Sequence, residues 1–382
     1  MRTVFYLGTR PELIKTYSVI REFQVLTASR PGWNVKTVFT GQHTDLMAAA
    51  ATDLDVHVDD WLDAPPVERT LADLVAHMLV TTTRSMTAIQ PDCVVIHGDT
   101  ASALTAGLSA EFLRVPVVHI EAGVRAPNRE EPFPEDLNRR LISQLADYHV
   151  CFNTATFECL IREGVSSRHI VLGAHPLVEH VSRIIDPDGV GRSNHIVITT
   201  HRRERRGERL GAIVDLVGRL RARLPELEVH FVWHPALESV SGVRESLQRA
   251  GAIVRDAMPP SEFIRFVATA AAVVTDSAGT AEEASILGVP VVSFRNSSEI
   301  RFEPGHPAGL VSEQAEAAIE YVCAGVASGR STQRLKPFEA LPASDGIAAA
   351  IARFVVDHYQ GEISTLHSPE WSRASVSTTL DI

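Results

Sequence analysis

The sequence predicts an α/β protein with two parallel β-sheets. Short β-branched runs alternate with segments of helical length in the first half of the chain, which is the rhythm of βαβ units, and a second series of the same kind begins near residue 195. A polar, turn-rich stretch at 182–194, with the sequence DPDG at 186–189, lies between the two series and predicts a linker. Since 382 residues exceed what one hydrophobic core usually serves, we expect two Rossmann-like domains that face each other across a cleft.

The predicted strands are the apolar, β-branched runs. In the first series they lie at 3–7, 35–39, 93–96, 115–120, 148–152 and 169–172, and in the second at 195–199, 228–232, 252–254, 272–275 and 289–294. Helical patterns lie between them, for example at 210–224 and 260–270, and residues 347–358 are typical of a last amphipathic helix. We therefore place an N-terminal domain at 1–182, a C-terminal domain at 190–345 and a loosely held tail at 361–382.

Charge and cysteine content exclude several classes of protein. An excess of 47 acidic over 36 basic residues gives a net charge of -11, which disfavours a nucleic-acid groove. The start of the chain lacks an apolar signal-type region and no apolar run reaches the length of a bilayer span, so we expect a cytoplasmic protein without a membrane anchor. Because the cysteines lack CxxC spacing and the histidines lack HExxH spacing, we expect reduced thiols and no metal.

Titratable side chains recur where predicted strands give way to loops. Asp99, Glu121 and His201 each follow such a strand, and Glu135 lies beyond a Pro-rich loop. In open α/β sheets this edge binds ligands. Removing a weakly acidic C–H proton and returning it from the other face needs a base and a second group, so these four residues are the predicted catalytic set. A single histidine at such a place is more often a structural hydrogen-bonding group, which leaves the role of His201 open.

Two strand-to-helix turns predict anion binding. In the first, GTRPE at 8–12, Arg10 and Lys15 supply two cations beside a helix N-terminus. In the second, TDSAGTAEE at 275–283, small residues let backbone N–H groups approach a pyrophosphate, and Glu283 is placed to accept the two hydroxyls of a ribose. The three small residues are Ser277, Ala278 and Gly279. A well-formed turn explains the first motif, and a charge that balances the helix dipole explains Glu283 about equally well.

Eight motifs occur in a fixed order along the chain. They are GTRPELIK at 8–15, FTGQH at 39–43, ERTLADL at 68–74, HGDT at 97–100, HIEAGVR at 119–125, PFPEDLNRR at 132–140, THRRE at 200–204 and TDSAGTAEE at 275–283. In residue type, order and spacing they resemble the motifs of the UDP-N-acetylglucosamine 2-epimerase family, non-hydrolysing and of the bacterial type. The resemblance extends from residue 3 to about residue 311.

The resemblance implies a GT-B fold with a UDP-sugar in the cleft and a final helix, at about 347–360, that crosses back to the N-terminal domain. Family members eliminate UDP to leave a 2-acetamidoglucal, then add UDP back with the C2 proton on the other face. The implied activity is therefore the isomerase reaction that reversibly interconverts UDP-N-acetylglucosamine (UDP-GlcNAc) and UDP-N-acetylmannosamine (UDP-ManNAc). No cofactor is required by this route, and the resemblance implies a homodimer.

Site residues carry over motif by motif. The family's catalytic positions correspond to Asp99, Glu121, Glu135 and His201. Its UDP-sugar positions correspond to Arg10, Lys15, Ser277, Ala278, Gly279, Glu283 and Arg301. Bacterial non-hydrolysing members also bind a second UDP-GlcNAc as an allosteric activator, and those positions correspond to Gln42, His43, Arg69, Asp136, Arg202 and His234.

Several positions depart from the family pattern. Asp45 replaces a glutamine, which removes an amide donor and adds a charge that repels diphosphate, and Asp136 replaces a glutamate. The Gly-Asn-Thr-like segment at the domain junction is GAHP at 173–176, and the arginine near the substrate is shifted to Arg301. These departures favour a changed sugar pocket in a specialised amino-sugar or secondary-metabolite pathway. The alternatives are a hydrolysing 2-epimerase that releases N-acetylmannosamine and UDP, a GT-B glycosyltransferase, and a nucleotide-sugar-binding protein without turnover.

Overall fold

The computed structural model contains two parallel β-sheets with helices packed on their faces. The structure describes residues 1–42, 44–65, 70–126, 132–173, 175–185, 194–200, 206–233, 237, 242–295, 310–327 and 343–365. Within these ranges no helix combines the length and the apolar character that a bilayer span requires. All four cysteines are free.

The first sheet has seven strands in the order β3-β2-β1-β4-β5-β6-β7, and every neighbouring pair is parallel. Its strands are β1 (Arg2–Leu7), β2 (Asn34–Phe39), β3 (Asp60–Trp61), β4 (Cys93–His97), β5 (Val117–Ile120), β6 (Tyr148–Cys151) and β7 (Ile170–Leu172). The helices along this part of the chain are α1 (Arg10–Ala28), α2 (Thr44–Asp53), α3 (Leu71–Ile89), α4 (Ala101–Phe112), α5 (Glu135–Leu145), α6 (Thr154–Arg162) and α7 (Pro176–Ile184).

The second sheet has six strands in the order β10-β9-β8-β11-β12-β13, again all parallel. Its strands are β8 (His195–Thr199), β9 (Glu228–Val232), β10 (Ala252–Arg255), β11 (Ala272–Thr275), β12 (Val291–Ser293) and β13 (Leu310–Val311). The helices are α8 (Arg206–Arg223), α9 (Val243–Arg249), α10 (Pro260–Ala268), α11 (Ala278–Ile286), α12 (Ala315–Ala327) and α13 (Ala343–Thr365).

The predicted α/β class with two parallel sheets is confirmed. Every predicted strand is present, with ends that differ from the prediction by at most two residues. Buried Val, Ile and Leu side chains on both faces of these strands explain why they read as continuous apolar runs rather than as alternating ones. The sequence did not predict β3 and β13, because a strand of two residues carries no measurable periodicity.

Two predicted boundaries differ from the structure. Residue 182, where we placed the start of the linker, lies inside α7, because Leu177, Val181 and Ile185 recur at four-residue spacing and are buried. Most of the remaining linker, 186–193, lies outside the described residues. At the other end, α13 continues to Thr365, beyond the Gly361 at which we placed the start of the tail. A single glycine weakens a helix without ending it.

The largest buried apolar cluster among the described residues contains side chains from β1, α1 and α13. Phe5 of β1 and Leu13 of α1 belong to the same buried cluster as Ile347, Ile351 and Val355 of α13. The last helix therefore packs on α1 and α7, against the first sheet. Burial of these side chains, each worth about 1.5–3 kcal/mol, holds α13 there.

Helix α7 connects the two halves of the molecule. It packs on α1 and also on α10 and α11, and Val181 and Ile185 share a buried cluster with Ile264 and Ala268 of α10. A second contact lies nearby, where Asp53 at the end of α2 accepts hydrogen bonds from Ser261 N at 3.1 Å and from Ser261 Oγ at 2.7 Å. These contacts hold the C-terminal half against α1 and α2.

Candidate active site between the two sheets

The strand order of each sheet reverses at one point. In the first sheet this point lies between β1 and β4, and in the second it lies between β8 and β11. Ligands of open α/β proteins bind in the crevice outside the carboxyl ends of the strands at such a reversal. Several predicted site residues, among them Arg10, Asp99 and Ser277, lie in or directly after the turns at these ends.

The turn after β1 packs directly on α4. A Cβ atom at Gly8 would lie 1.6 Å from Ser102 Oγ, so only glycine fits at this position. Ser102 Oγ lies 2.7 Å from Thr40 Oγ1 and donates a hydrogen bond to Gln42 Oε1 at 2.8 Å. Gln42, a predicted allosteric residue, is thereby attached to the same turn. The turns after β1, β2 and β4 form one packed unit.

Glu12 ties the turn after β1 to the turn after β4. Its Oε2 atom accepts hydrogen bonds from Gly8 N at 2.9 Å, Thr9 N at 2.7 Å and Thr9 Oγ1 at 2.9 Å, and its Oε1 atom accepts one from Thr100 Oγ1 at 2.8 Å. Burial raises the pKa of Glu12 to about 7, although these hydrogen bonds act to lower it. Glu12 thereby fixes the position of the Asp99 loop.

Lys15 lies at the centre of the site. Its Nζ atom is 2.6 Å from Glu121 Oε2 and 2.8 Å from Glu282 Oε2, and the three side chains are 10%, 12% and 19% exposed. Lys15 and Glu121 belong to the first half of the molecule, whereas Glu282 lies on α11 of the second half. Lys15 Nζ donates a hydrogen bond to Glu121 Oε2, and its contact with Glu282 is an ion pair.

Lys15, Glu121 and Glu282 form an ion group that is both buried and charged. Burial acts to raise the pKa of Glu121, but Lys15 outweighs it and holds that pKa below its usual range. Burial likewise acts to lower the pKa of Lys15, but the two carboxylates raise it above its usual range. His97 Nε2 lies 3.4 Å from Glu121 Oε2, and burial lowers the pKa of His97 to about 4, so this imidazole is neutral at pH 7.

Glu121 adopts an uncommon backbone conformation. It is the first residue after β5, and its φ of 67° lies in the left-handed region, which a residue with a side chain rarely occupies. The next residue is anchored, because Ala122 N donates a hydrogen bond to Val150 O at 2.9 Å. Such conformations persist only where the surrounding structure enforces them, and they concentrate at functional sites.

Asp99 and Glu135 meet through helix α5. Arg139 forms an ion pair with the Asp99 carboxylate, and Asn138 Nδ2 donates a hydrogen bond to Asp99 O at 2.7 Å. Glu135 begins α5 and lies three and four residues before these two partners, so it shares their helix face. It is partly buried, and its Oε2 atom is shielded from solvent. Glu135 therefore lies on the side of α5 that faces the Asp99 loop.

Asp136, the next residue, is in a structural position. It is fully buried, and its Oδ1 atom accepts a hydrogen bond from Ala126 N at 2.8 Å. Its Oδ2 atom accepts one from Arg140 Nε, also at 2.8 Å. Both carboxylate oxygens of Asp136 therefore accept hydrogen bonds within the protein. The geometry favours a role in holding the segment that ends at Ala126, rather than contact with a second UDP-sugar.

The N-terminus of α11 forms the opposite wall. Ser277 caps this helix by accepting a hydrogen bond from Thr280 N at 3.4 Å, and a Cβ atom at Gly279 would meet nothing within 4 Å. The adjacent Asp276 is buried and accepts a hydrogen bond from Thr200 Oγ1 at 2.6 Å. The first turn of α11 thus has open space beside it, as an anion site at a helix N-terminus requires.

Arg10 and Glu283, which the sequence placed in separate motifs, interact across the site. Burial raises the pKa of Glu283 to about 7, and the charge of Arg10 opposes this rise. Burial also lowers the pKa of Arg10, while Glu283 acts to raise it. Each side chain therefore lies in the electric field of the other, on opposite sides of the boundary between the two halves.

Six predicted residues lie outside the described parts of the chain. They are His201, Arg301, His43, Arg69, Arg202 and His234. The structure adds residues that the sequence analysis did not assign to the site, namely His97, Asn138, Arg139, His175 and Glu282. Most of these stand inside or beside the recognised motifs, but their partners are distant in sequence, and only the folded structure shows the pairing. Among the described residues, no group of three or more acidic, His or Cys side chains is arranged to hold a metal ion.

Two parallel sheets with helices on their faces, each with one reversal of strand order, define a GT-B protein. Residues 27–352 match the profile of the family described as UDP-N-acetylglucosamine 2-epimerase. The chain belongs to this family of isomerases, so the predicted membership and the predicted GT-B fold are confirmed.

Named relatives agree with this assignment. The UDP-N-acetylglucosamine 2-epimerase of Bacillus subtilis (strain 168) is 29% identical over 309 residues, covering 78% of this chain and 79% of its own. That of Escherichia coli (strain K12) is 27% identical over 324 residues, covering 78% and 83%. The structure of the Neisseria meningitidis enzyme bound to UDP-GlcNAc has a TM-score of 0.80 at 24% identity and covers 92% of this chain and 100% of that one. A putative 2-epimerase from Listeria monocytogenes has a TM-score of 0.79 at 25% identity and covers 94% and 97%.

Proposed function

We propose that this chain catalyses the reversible interconversion of UDP-GlcNAc and UDP-ManNAc by elimination and re-addition of UDP. The observation that carries the proposal is the buried ion group at the carboxyl edge of the first sheet, in which Lys15 keeps Glu121 ionised. Ionisation leaves Glu121 free to accept a proton, while the ion pair with Lys15 lowers its basicity. The family match and the named relatives support the same reaction.

The proposed binding mode follows from the opposite wall. The UDP pyrophosphate lies at the N-terminus of α11, beside Ser277, Ala278 and Gly279, where the helix dipole and backbone N–H groups attract an anion. Arg10 adds a positive charge, and Glu283 accepts the ribose hydroxyls. This arrangement directs the sugar towards the ends of β4 and β5. Arg301 is proposed to contact the sugar by family resemblance.

The proton chemistry is assigned to three carboxylates. Glu121, at the end of β5, acts on C2 of the sugar, and Asp99 with Glu135, at the end of β4, supplies a group for the other face. One base alone would return the proton to the face from which it came. His201 is proposed to assist departure and return of UDP. Together these groups separate proton removal from proton return, as inversion at C2 requires.

A proton-exchange experiment tests this function. Incubation with UDP-GlcNAc in deuterated buffer, followed by proton NMR, is expected to show deuterium at C2 of intact UDP-GlcNAc and UDP-ManNAc. Accumulation of free N-acetylmannosamine with UDP would instead indicate the hydrolysing reaction. A glycosyltransferase would leave the C2 proton in place, with or without an acceptor, and a binding protein would show no deuterium uptake either.

We further propose a cytoplasmic homodimer. Helices α3, α4 and α5 pack side by side, and each exposes a large apolar side chain, Val80 at 49%, Phe112 at 65% and Leu141 at 44%. Exposed apolar side chains on adjacent helices are typical of an interface. Light scattering after gel filtration is expected to give twice the 41.7 kDa chain mass. Phe112→Glu is expected to lower it to the monomer mass, and a wild-type monomer at all concentrations would refute the dimer.

The described residues that the resemblance implies for activation by a second UDP-GlcNAc are engaged within the protein. Of the residues implied for it, Gln42 is engaged by Ser102 and Asp136 is buried, while Asp45 places a charge where the family has an amide. We propose weak or absent activation and a specialised amino-sugar pathway. Conversion of pure UDP-ManNAc should then proceed without a lag and without added UDP-GlcNAc. A requirement for traces of UDP-GlcNAc would contradict this.

A further inference from the structure

Glu282 occupies a position in the site that the proposed reaction does not yet explain. It lies on α11, beside Glu283, yet its side chain points to Lys15 of the first half rather than to the place proposed for the ribose. Lys15 Nζ is held between Glu282 Oε2 at 2.8 Å and Glu121 Oε2 at 2.6 Å. The ion pair between Lys15 and Glu121 is therefore extended by Glu282, a residue from the opposite half of the molecule.

His175 stands behind Glu282. It caps α7, and its Nδ1 atom accepts a hydrogen bond from Leu177 N at 3.1 Å, so the ring proton is on Nε2. Nε2 lies 3.7 Å from Glu282 Oε1, and Phe152 packs on the ring with a centroid separation of 4.5 Å. The imidazole is thus fixed by a backbone contact and an aromatic contact, and it presents its N–H to Glu282.

The charges in this group do not cancel. One cation, Lys15, faces two anions, Glu121 and Glu282, and His97 beside them is neutral. Burial acts to raise the pKa of Glu282, but Lys15 and His175 hold it below its usual range, so Glu282 remains ionised. Lys15, Glu121 and Glu282 together carry one net negative charge. Glu282 consequently takes part of the attraction of Lys15 away from Glu121 and repels the Glu121 carboxylate directly.

We infer that Glu282 is a positioning residue for the reaction, which acts from the second half of the molecule through Lys15 on Glu121, and that His175 holds Glu282 in place. The inference deepens the proposed function and rests on it. By sharing Lys15, Glu282 leaves Glu121 more basic than a simple ion pair with Lys15 would. The net negative charge also favours the positive charge that develops on the sugar as UDP departs. Both effects accelerate chemistry rather than substrate binding.

The decisive variant is Glu282→Gln, which keeps the shape and removes the charge. It is expected to lower kcat by about tenfold to a hundredfold while the KM for UDP-GlcNAc changes by less than about twofold. With UDP-GlcNAc deuterated at C2, the isotope effect on kcat/KM is expected to rise above that of the wild type, because removal of the proton becomes more rate-limiting. Glu282→Asp, which keeps the charge, is expected to recover part of kcat.

Two further variants separate positioning from folding. His175→Asn keeps a side chain that caps α7 but removes the N–H that faces Glu282, so kcat is expected to fall by about threefold to tenfold with an unchanged unfolding midpoint. Asp53→Asn weakens a different contact between the two halves, at Ser261, and serves as the matched control. It is expected to leave kcat and the isotope effect at wild-type values.

The outcomes distinguish the inference from the proposed function. If wild-type protein exchanges deuterium at C2 and Glu282→Gln shows wild-type kcat and isotope effect, the inference alone is wrong. It is also wrong if Glu282→Gln loses activity with an unchanged isotope effect and a lowered unfolding midpoint, since that describes a structural contact only. If the wild type exchanges no deuterium, the proposed function fails and takes the inference with it.

Discussion

Replacing Lys15 by methionine tests the buried ion group most directly. Methionine has nearly the length of lysine and no charge, so Lys15→Met leaves Glu121 and Glu282 facing each other without their shared cation. Removing one partner of a buried ion pair costs about 3–5 kcal/mol, because the remaining charge is neither hydrated nor paired. The three side chains are at most 19% exposed, so little of this cost is relieved by solvent.

Protonation limits the loss and makes it depend on pH. A carboxylate with an unfolded-state pKa of about 4.3 can be protonated at pH 7 for about 3.7 kcal/mol, so that the two carboxylates share a proton, and at pH 5 the same step costs about 1 kcal/mol. The folded-state pKa of one carboxylate is raised in the variant. The folded state then binds more protons than the unfolded state, and the stability of the variant falls as pH rises towards 7.

Urea unfolding at the two pH values measures this. We expect Lys15→Met to lose about 3–4 kcal/mol relative to the wild type at pH 7 and about 1 kcal/mol at pH 5. Arg21→Met is the matched control, since Arg21 lies on the same helix and its ion pair with Asp55, at 3.8 Å, is exposed. It is expected to show no measurable loss at either pH. An equal loss for Lys15→Met at pH 5 and pH 7, or no loss at pH 7, would refute the view that Lys15 neutralises two buried carboxylates.

Three further predictions concern single residues. Glu121→Gln is expected to lower kcat by about 10²–10⁴-fold and to abolish deuterium uptake at C2, and exchange at the wild-type rate in the NMR assay would remove Glu121 from the mechanism. Gly8→Ala is expected to cost about 1–3 kcal/mol in urea unfolding, because the new methyl group meets Ser102, whereas Gly279→Ala, with open space around it, should not crowd its neighbours. Glu12→Gln is expected to flatten the pH dependence of stability: the pKa of Glu12 is raised to about 7 in the folded state, so the wild type loses stability as pH rises from about 4.5 through 7, and an unchanged slope in the variant would exclude Glu12 as the cause.

The fold was predictable because its signal is local. Strands buried on both faces must be continuous apolar runs, and β-branched residues such as those of β8 and β11 stand out against the polar turns between them. The prediction failed where that signal is weak. The edge strands β3 and β13 have only two residues each, and at the end of α7 polar residues lie between the buried residues Val181 and Ile185.

The candidate site was predictable in part. Asp99 and Glu121 were predicted because titratable residues follow buried strands there, and the strand order brings the ends of β4 and β5 together. The sequence did not predict which cation pairs with each carboxylate. Arg139 pairs with Asp99 from the opposite end of a Pro-rich loop, and nothing in the motif indicates which side chain it meets.

The sequence by itself determined the α/β class, the family, and the strand ends at which the carboxylates lie, because these depend on residue type, order and spacing along the chain. Only the tertiary structure decided that Lys15 is shared between Glu121, 106 residues away, and Glu282 on the opposite half of the molecule. Periodicity reports the conformation of neighbouring residues, whereas a buried ion group depends on how α1, β5 and α11 pack in space. The protonation state of the proposed base is therefore a property of the assembled fold.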